Sequence, residues 1–293
     1  MTQFIDVRVD SVGGPLAKSV SVYQGSSLTD YVSLQPDQVV SAVRGRNVLV
    51  GTHGFNVNRA NGIDCLDKWS KLLLQFDPAL DIFLGLLWPG DSTWAHGLDY
   101  AGEPALADQA GKLIGPFLDH LLVGAASVSF SSHSLGARVI LSTIQNMNLK
   151  IRHAIILAGA VDDNCLTGEF QTAAHKIGEI SILSSPRDEV LAWAFPLGNF
   201  VSGVIAAGHP WWHGALGRSG PQQLWPDNVR APFMIPDEWA YGHHHYLQVD
   251  PAAQNPTAAR VDVPAQANPF PSNGGPGWQQ TFSAAFASTR FKA

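Results

Sequence analysis

Short apolar runs of strand length alternate with stretches of helical periodicity along most of this chain. The central apolar runs occupy residues 47–54, 81–90, 126–134, 151–160 and 179–188. Apolar residues at helical spacing follow the first three runs and predict helices at residues 63–76, 106–121 and 135–147. An alternation of this kind is typical of a largely parallel sheet with helices on both faces. The pattern therefore predicts one α/β domain with about seven or eight strands.

Two further apolar runs open the chain. Residues 4–12 and 19–24 are separated by a Gly13-Gly14-Pro15 turn. Because such a turn reverses the chain over a short distance, we expect the two runs to form an antiparallel pair at the start of the sheet.

The end of the chain has a different composition from the rest. After His245 it becomes rich in proline and alanine, and three aromatic residues at four-residue spacing follow, namely Trp278, Phe282 and Phe286. We therefore expect the α/β domain to span residues 1–250. Residues 251–293 are expected to form an extension that docks on the domain through a short helix.

The charge content is low for a soluble domain. Charged residues make up 14 % of the 293 residues and hydrophobic residues 45 %, and 18 basic against 24 acidic side chains give a net charge of −6. No basic cluster is present, which argues against a nucleic-acid partner. The hydrophobic content argues against intrinsic disorder. The first residues do not resemble a signal peptide, and two cysteines, Cys65 and Cys165, form no disulfide framework, so we expect a cytoplasmic protein.

One segment is almost entirely apolar. Residues 190–217 contain no Asp, Glu, Lys or Arg, a length that would permit a membrane span. Pro196, Gly198 and Pro210 interrupt the segment, however, and we do not expect it to cross a membrane. The low charge instead predicts an apolar insertion, residues 190–240, that caps a pocket.

The most informative turn follows the apolar run at residues 126–134. Ser134 has a small residue two positions before it, Ser132, and two positions after it, Gly136. A nucleophilic serine on a strained strand-to-helix turn needs such neighbours, because strand and helix backbones approach closely there. Ser131 and Ser132 lack small residues at both offsets, so Ser134 is the predicted nucleophile.

These motifs resemble the α/β-hydrolase superfamily, and in particular a bacterial branch of lipase- and esterase-like serine hydrolases. The matching segments are NVLVGTHGFN, LLWPGDS, SHSLGARVIL, ILAGAVDDN and SPRDEVL, spread between about residues 47 and 246. The resemblance implies an α/β-hydrolase fold without a cofactor. It also implies that the backbone amides of Phe55 and Leu135 form an oxyanion hole, beside which Gly54 permits close approach of a substrate.

The acid that orients the catalytic histidine follows the serine in this superfamily. Asp188, 54 residues after Ser134, comes after an apolar run and is the predicted acid. Asp162, at the end of the preceding run, is the alternative, together with its neighbour Asp163. Glu189 is expected to be an exposed charge at a helix start.

The predicted base lies in the triplet His243-His244-His245. The resemblance places the catalytic histidine three residues before an aromatic residue, which indicates His243, with His244 as second choice. A metal site at the triplet is not supported by any further ligand motif, so no metal is predicted. Five residues are expected to contact substrate: Gly54, His133, Trp88, Trp211 and Trp212.

Together these residues predict a serine hydrolase that cleaves a small carboxylic ester with an apolar or short acyl group. Hydrolysis of a thioester, amide or lactone at the same serine is the alternative chemistry. A non-catalytic binding module with the same fold is the alternative from another class.

Overall fold

The computed structural model describes residues 1–9, 14–76, 79–91, 103–192, 214–222, 225–235, 237 and 241–247. Nine strands within these residues are β1 (Thr2–Arg8), β2 (Leu16–Gly25), β3 (Val32–Leu34), β4 (Asn47–Thr52), β5 (Ile82–Leu87), β6 (Ser127–His133), β7 (Ile151–Leu157), β8 (Ile177–Ser184) and β9 (Val229–Met234). The helices are α1 (Pro36–Val43), α2 (Arg59–Phe76), α3 (Glu103–Leu121), α4 (Gly136–Gln145), α5 (Gln171–Lys176) and α6 (Leu216–Ser219), followed by a 3₁₀ helix at His243–Leu247.

All nine strands belong to one mostly parallel sheet, in the order β3-β2-β1-β5-β4-β6-β7-β8-β9. From β1 to β9 in this order, each strand runs parallel to the next. β2 pairs antiparallel with β1, and β3 pairs antiparallel with β2. The predicted α/β class, parallel sheet and opening antiparallel pair are therefore confirmed.

Helices flank the sheet because its crossovers run in two directions. The connection from β4 through α2 to β5 moves one way along the sheet, and the connections through α3, α4 and α5 move the other way. Since crossovers between parallel strands are right-handed, opposite directions place α2 on one face and α3, α4 and α5 on the other. α3 packs along α4 on that second face.

The centre of the sheet is buried on both faces. Every residue of β4 from Val48 to Thr52 is buried, as is every residue of β6 from Val128 to His133. The near-continuous apolar run of β4 is typical of a parallel strand covered by helices on both faces. The core is thus continuous beneath the carboxyl ends of the central strands.

The sequence predicts seven or eight strands, whereas the described residues form nine, and β3 and β9 have no counterpart among the predicted apolar runs. β3 is three residues long, too short for an alternating pattern to be detected. Pro232 argues against a strand in the sequence, but among the described strands β9 pairs with β8 alone and lies at the edge of the sheet. Proline is tolerated there because one side of an edge strand needs no ladder hydrogen bond.

Several expectations lie outside the described residues. Most of the predicted apolar cap falls there, including Trp211 and Trp212, as does the whole extension at residues 251–293. Within the predicted cap, the structure describes residues 190–192, 214–222, 225–235 and 237. Main-chain hydrogen bonds from Asp163 to Gly214 and from Leu216 to Val161 attach the returning chain to the loop after β7. No helix in the described part of the chain is both long and apolar enough to cross a bilayer.

Candidate active site

The candidate site lies where the connections leaving two neighbouring strands diverge. β4 continues into α2 on one face of the sheet, whereas β6, beside it, continues into α4 on the other face. A crevice therefore opens at the carboxyl ends of these strands, which is the usual ligand position in open parallel sheets. The loop after β4 and the turn after β6 form its two sides.

Ser134 occupies the turn after β6 in a strained backbone conformation. Its φ angle is +53°, in the left-handed region that residues other than glycine seldom adopt. Such a conformation costs about 1–3 kcal/mol and persists only where the surroundings impose it. Here the Ser134 amide donates to Leu157 O at 3.0 Å, and the Ser134 carbonyl accepts from the amides of Ala137 and Ala160, both at 3.0 Å.

Gly136 allows this turn to form against the neighbouring strand. A Cβ atom at Gly136 would lie 2.5 Å from the carbonyl oxygen of His53 and 2.9 Å from Cγ2 of Thr52. No side chain fits in that space without moving backbone. The small residue two positions after Ser134 is therefore required by the close approach of α4 to the end of β4.

A chain of hydrogen bonds joins Ser134 to His243 and Asp188. The Ser134 hydroxyl donates to Nε2 of His243 at 2.8 Å, and Nδ1–H of His243 donates to Oδ2 of Asp188 at 2.7 Å. The carboxylate only accepts, so Nδ1 carries the proton and Nε2 is left as an acceptor. The exposed fractions of the three residues are 6 % for Ser134, 6 % for His243 and 0 % for Asp188.

Asp188 is held in place by the start of the helical turn that follows it. Its Oδ1 atom accepts a hydrogen bond from the Leu191 amide at 2.9 Å, so each carboxylate oxygen has a partner. Its own amide donates to Ser185 O at 3.1 Å. The serine side chain of Ser185 also donates to the carbonyl of Tyr241 at 2.6 Å and thereby ties the acid loop to the loop that carries His243.

The alternative acid and base occupy other positions. Asp162 forms an isolated β-bridge with Ala215, where the chain returns after the apolar region. His244 is exposed, and its ring contacts that of His243 edge-on, with centroids 5.4 Å apart. The structure thus joins Ser134, His243 and Asp188 directly and joins neither Asp162 nor His244 to Ser134 by a hydrogen bond between described residues.

The loop after β4 presses against Ser134. A Cβ atom at Gly54 would lie 2.7 Å from Cβ of Ser134 and 3.2 Å from Nδ1 of His133. Phe55 follows directly and is half-buried. On the other side, the Leu135 amide donates no main-chain hydrogen bond to another described residue. Leu135 directly precedes α4, so its N–H belongs to the positive end of the helix dipole.

Trp88, which the sequence predicts as a substrate contact, supports this loop from behind. Its side chain is fully buried, and Nε1–H donates to the carbonyl of His53 at 3.1 Å. The His53 ring stacks on the indole at 6.0 Å, and Nδ1–H of His53 donates to Gly54 O at 2.9 Å. Burial also lowers the pKa of His53 to about 3, so the ring is neutral. The large apolar surface of the indole is buried in the core beneath the loop.

Sequence reasoning missed a buried charged cluster that fixes the Trp88 turn. Arg8 donates to the carbonyls of Trp88 at 2.6 Å and Val57 at 3.1 Å and forms an ion pair with Asp91. Arg59 forms a second ion pair with Asp6 at 3.1 Å. The signal in the sequence was that Asp6 and Arg8 alternate with the apolar residues Ile5 and Val7, since charged residues in such a strand are rarely buried unless they are paired.

The His133 side chain, also predicted as a substrate contact, is hydrogen-bonded to the loop that carries His243. It is buried, and Nε2–H donates to the main-chain carbonyl of His243 at 2.7 Å. Burial and the neighbouring His243 lower the pKa of His133 well below its ordinary value. The side chains of His133 and Ser134 diverge because they are adjacent on a sharp turn, so His133 points under the loop of His243.

No cofactor or metal ligand set is evident in the described part of the chain. Within those residues, no group of three or more His, Cys, Asp or Glu side chains is arranged to hold a metal ion. Cys65 and Cys165 are both free thiols, and burial raises the pKa of each. Ser134, His243 and Asp188 offer a hydroxyl, an imidazole and a carboxylate joined by hydrogen bonds.

Comparisons with known proteins give distant structural likenesses, among them the following two. No protein-family model and no curated protein sequence matches the chain. An uncharacterised protein from Bacillus cereus is similar over 86 % of this chain and 61 % of its own, with 14 % identity and a TM-score of 0.44. Carboxyl esterase 2 from the mycorrhizal fungus Tuber melanosporum is similar over 88 % of this chain and 87 % of its own, with 11 % identity and a TM-score of 0.38. This chain thus spans less than two thirds of the Bacillus protein, and neither likeness assigns it a family or an activity.

Proposed function

We propose that this protein is a serine hydrolase of the α/β-hydrolase superfamily that cleaves carboxylic esters. The observation that carries the proposal is the buried chain of hydrogen bonds from Ser134 through His243 to Asp188, with Ser134 on a positive-φ turn. A nucleophile hydrogen-bonded to a base, which a third group orients, is the arrangement that activates a serine hydroxyl.

Ester cleavage then proceeds in two steps at Ser134. As Oγ attacks the acyl carbon, its proton moves to Nε2 of His243, and the carbonyl electron pair moves to the oxygen. Asp188 stabilises the imidazolium that forms, because its carboxylate already accepts the Nδ1 proton at 2.7 Å. Collapse of the tetrahedral intermediate breaks the bond to the alcohol oxygen, which takes the proton from Nε2. Water then attacks the acyl carbon while its proton moves to Nε2 of His243. Collapse of the second tetrahedral intermediate releases the carboxylic acid, and the proton returns to Oγ of Ser134.

The developing oxyanion is assigned to the backbone amides of Leu135 and Phe55. The position of Leu135 at the start of α4 supports its part, since N–H groups at a helix N-terminus favour negative charge. Phe55 is included because Gly54, the residue before it, lies against Ser134. The charge-poor sequence at residues 190–217 favours an apolar or short-acyl substrate.

The test measures hydrolysis and covalent labelling together. Wild-type protein, Ser134→Ala and Ser131→Ala are assayed on p-nitrophenyl acetate, butyrate and octanoate and treated with a fluorophosphonate, which phosphonylates an activated serine with loss of fluoride. Ser131 is the matched control, because it is a buried serine on β6, the strand that directly precedes Ser134, and its hydroxyl lacks a partner among the described residues. We expect Ser134→Ala to lose the label and at least about 10³-fold in kcat, and Ser131→Ala to keep both.

Other outcomes would assign a different function. Equal hydrolysis by wild type and Ser134→Ala would refute the role of Ser134. Faster turnover of thioester, amide or lactone substrates in the same assay would replace the ester as substrate class. Absence of both labelling and hydrolysis in folded wild-type protein would favour a binding module instead of an enzyme.

A further inference from the structure

The main chain of His243 is tied to the strand that carries Ser134. His133 is the last residue of β6 and directly precedes Ser134, and its Nε2–H donates to His243 O at 2.7 Å. A single hydrogen bond therefore spans from the nucleophile turn to the first residue of the 3₁₀ helix at His243–Leu247. The side chain that makes it is buried.

The hydrogen bonds to Asp188 and from His133 restrain different parts of His243. Asp188 binds the ring at Nδ1 and so fixes the orientation of the imidazole. Its loop follows β8, which is two strands away from β6 in the sheet. His133 binds the main-chain carbonyl and so restrains the distance between the loop of His243 and the strand of Ser134. Neither restraint replaces the other.

We propose that His133 is a positioning residue that holds His243 at reaction distance from Ser134 through its hydrogen bond to the His243 carbonyl. This inference rests on the proposed serine hydrolase function. His133 itself touches no reacting atom. Its effect is exerted through the 2.8 Å hydrogen bond between Nε2 of His243 and Oγ of Ser134, which lengthens when the loop is released.

Two further observations fit a neutral donor at this position. The ring centroids of His133 and His243 are 4.8 Å apart, so a positive charge on His133 would oppose the imidazolium of His243. Burial keeps the pKa of His133 well below its ordinary value and prevents that charge at neutral pH. On the far side, the ring of Tyr246 lies 6.1 Å away and is fully buried, which confines the His133 ring.

The variants separate the hydrogen bond from the volume of the side chain. His133→Phe keeps a ring but removes the donor, whereas His133→Gln retains an N–H donor near the position of Nε2. His153→Phe is the matched control, because His153 is also a buried histidine and loses a hydrogen bond, of 2.8 Å to Oγ of Ser181, but lies near the opposite end of the strands. Each protein is assayed for kcat and KM on p-nitrophenyl butyrate, for fluorophosphonate labelling rate and for Tm.

We expect His133→Phe to lower kcat and the labelling rate by about 10–100-fold with KM within about twofold, as a misplaced base would. His133→Gln should recover most of that loss. His153→Phe should lower Tm but leave kcat unchanged. If His133→Phe does not fold, His133→Leu, which also lacks the donor, is compared with His133→Gln. A folded donorless variant with wild-type kcat, or a folded His133→Gln as slow as the donorless variant, would overturn the proposal.

A measurement that needs no substrate separates this proposal from the proposed function. The ¹⁵N resonance of His243 Nε2 reports the hydrogen bond from Oγ of Ser134 and is assigned by its shift in Ser134→Ala. We expect His133→Phe to move this resonance toward its position in Ser134→Ala, whereas His133→Gln and His153→Phe should leave it unchanged. Wild-type protein without hydrolysis or labelling would refute the hydrolase function, and the resonance would still decide the positioning role. An unchanged resonance in His133→Phe would reject that role.

Discussion

Gly54→Ala perturbs the contact between the loop after β4 and Ser134 with a single methyl group. The new Cβ would lie 2.7 Å from Cβ of Ser134, 3.2 Å from Nδ1 of His133 and 3.2 Å from the carbonyl oxygen of His133. Carbon atoms in contact normally stay about 3.5 Å or more apart, so the loop or Ser134 must move by about 0.8 Å. The φ angle at Gly54 lies outside the left-handed region, so the effect is steric and does not arise from backbone strain.

A displacement of this size affects both activity and stability. Misplacement of reacting groups by about 1 Å costs on the order of 10²-fold in rate, so we expect kcat for p-nitrophenyl butyrate to fall by about 10–100-fold. Overpacking should lower the free energy of unfolding by about 1–3 kcal/mol. Gly168→Ala is the matched control, because its added Cβ meets nothing closer than Asn164 O at 3.4 Å.

The assay combines steady-state kinetics, fluorophosphonate labelling and urea denaturation of the three proteins. If Gly54→Ala keeps kcat and labelling rate within about threefold of wild type, the loop does not constrain Ser134 and the steric reasoning is refuted. If Gly168→Ala loses as much activity as Gly54→Ala, the effect is a general cost of adding methyl groups and the site-specific explanation fails.

Three further changes test other parts of the molecule. Asp188→Asn replaces the carboxylate that accepts the Nδ1 proton of His243 with a neutral carboxamide that can also donate, and should lower kcat by roughly 10³–10⁴-fold in a folded protein, measured on p-nitrophenyl butyrate. Lys176→Met removes hydrogen bonds from Nζ to the main-chain carbonyls of Ile144, Gln145 and Met147 at the end of α4, and should lower the free energy of unfolding by about 1–2 kcal/mol in urea denaturation. His53 has a folded-state pKa of about 3, below its ordinary value of 6.5, so the unfolded state binds a proton that the folded state does not, and stability falls as the pH drops below 6.5. Between pH 7.5 and pH 5, wild type should lose about 2 kcal/mol more than His53→Phe.

Each of these three predictions has a result that would contradict it. Wild-type kcat in Asp188→Asn would show that the carboxylate does not orient His243. Equal stability of Lys176→Met and Lys150→Met, the exposed control, would remove the stabilising role of the three carbonyls. Parallel pH profiles for wild type and His53→Phe would mean that His53 is protonated in the folded state.

The predicted site residues were accessible from sequence to different degrees. The Ser134 turn is a local motif, since it depends on small residues within two positions and on an apolar run before it. The structure shows why the motif is needed: φ of Ser134 is +53°, and a Cβ atom at Gly136 would lie 2.5 Å from His53 O. The prediction of Asp188 needed only the chain order and the end of an apolar run. The prediction of His243 needed a choice within a triplet, and three adjacent histidines are chemically identical until the backbone orients them.

The residues that support the site could not be predicted from the sequence, because their contacts lie far away along the chain. The sequence identifies Trp88 as an aromatic residue at the end of a strand. Whether its ring faces a pocket or the core depends on which strands lie beside β5. Arg8 binds a carbonyl 80 residues away, and no local pattern encodes that distance. The role of His133 likewise depends on a carbonyl 110 residues away.

Periodicity and turn chemistry are properties of short segments, and they sufficed for the α/β class, the parallel sheet, the opening antiparallel pair and the positions of most strands. Strand order, the burial of each polar side chain and the hydrogen bond that joins Ser134 to His243 across 109 residues emerge only when distant segments pack. Which histidine meets the serine is decided there, because the direction of a side chain follows from the backbone that carries it and from the neighbours that confine it.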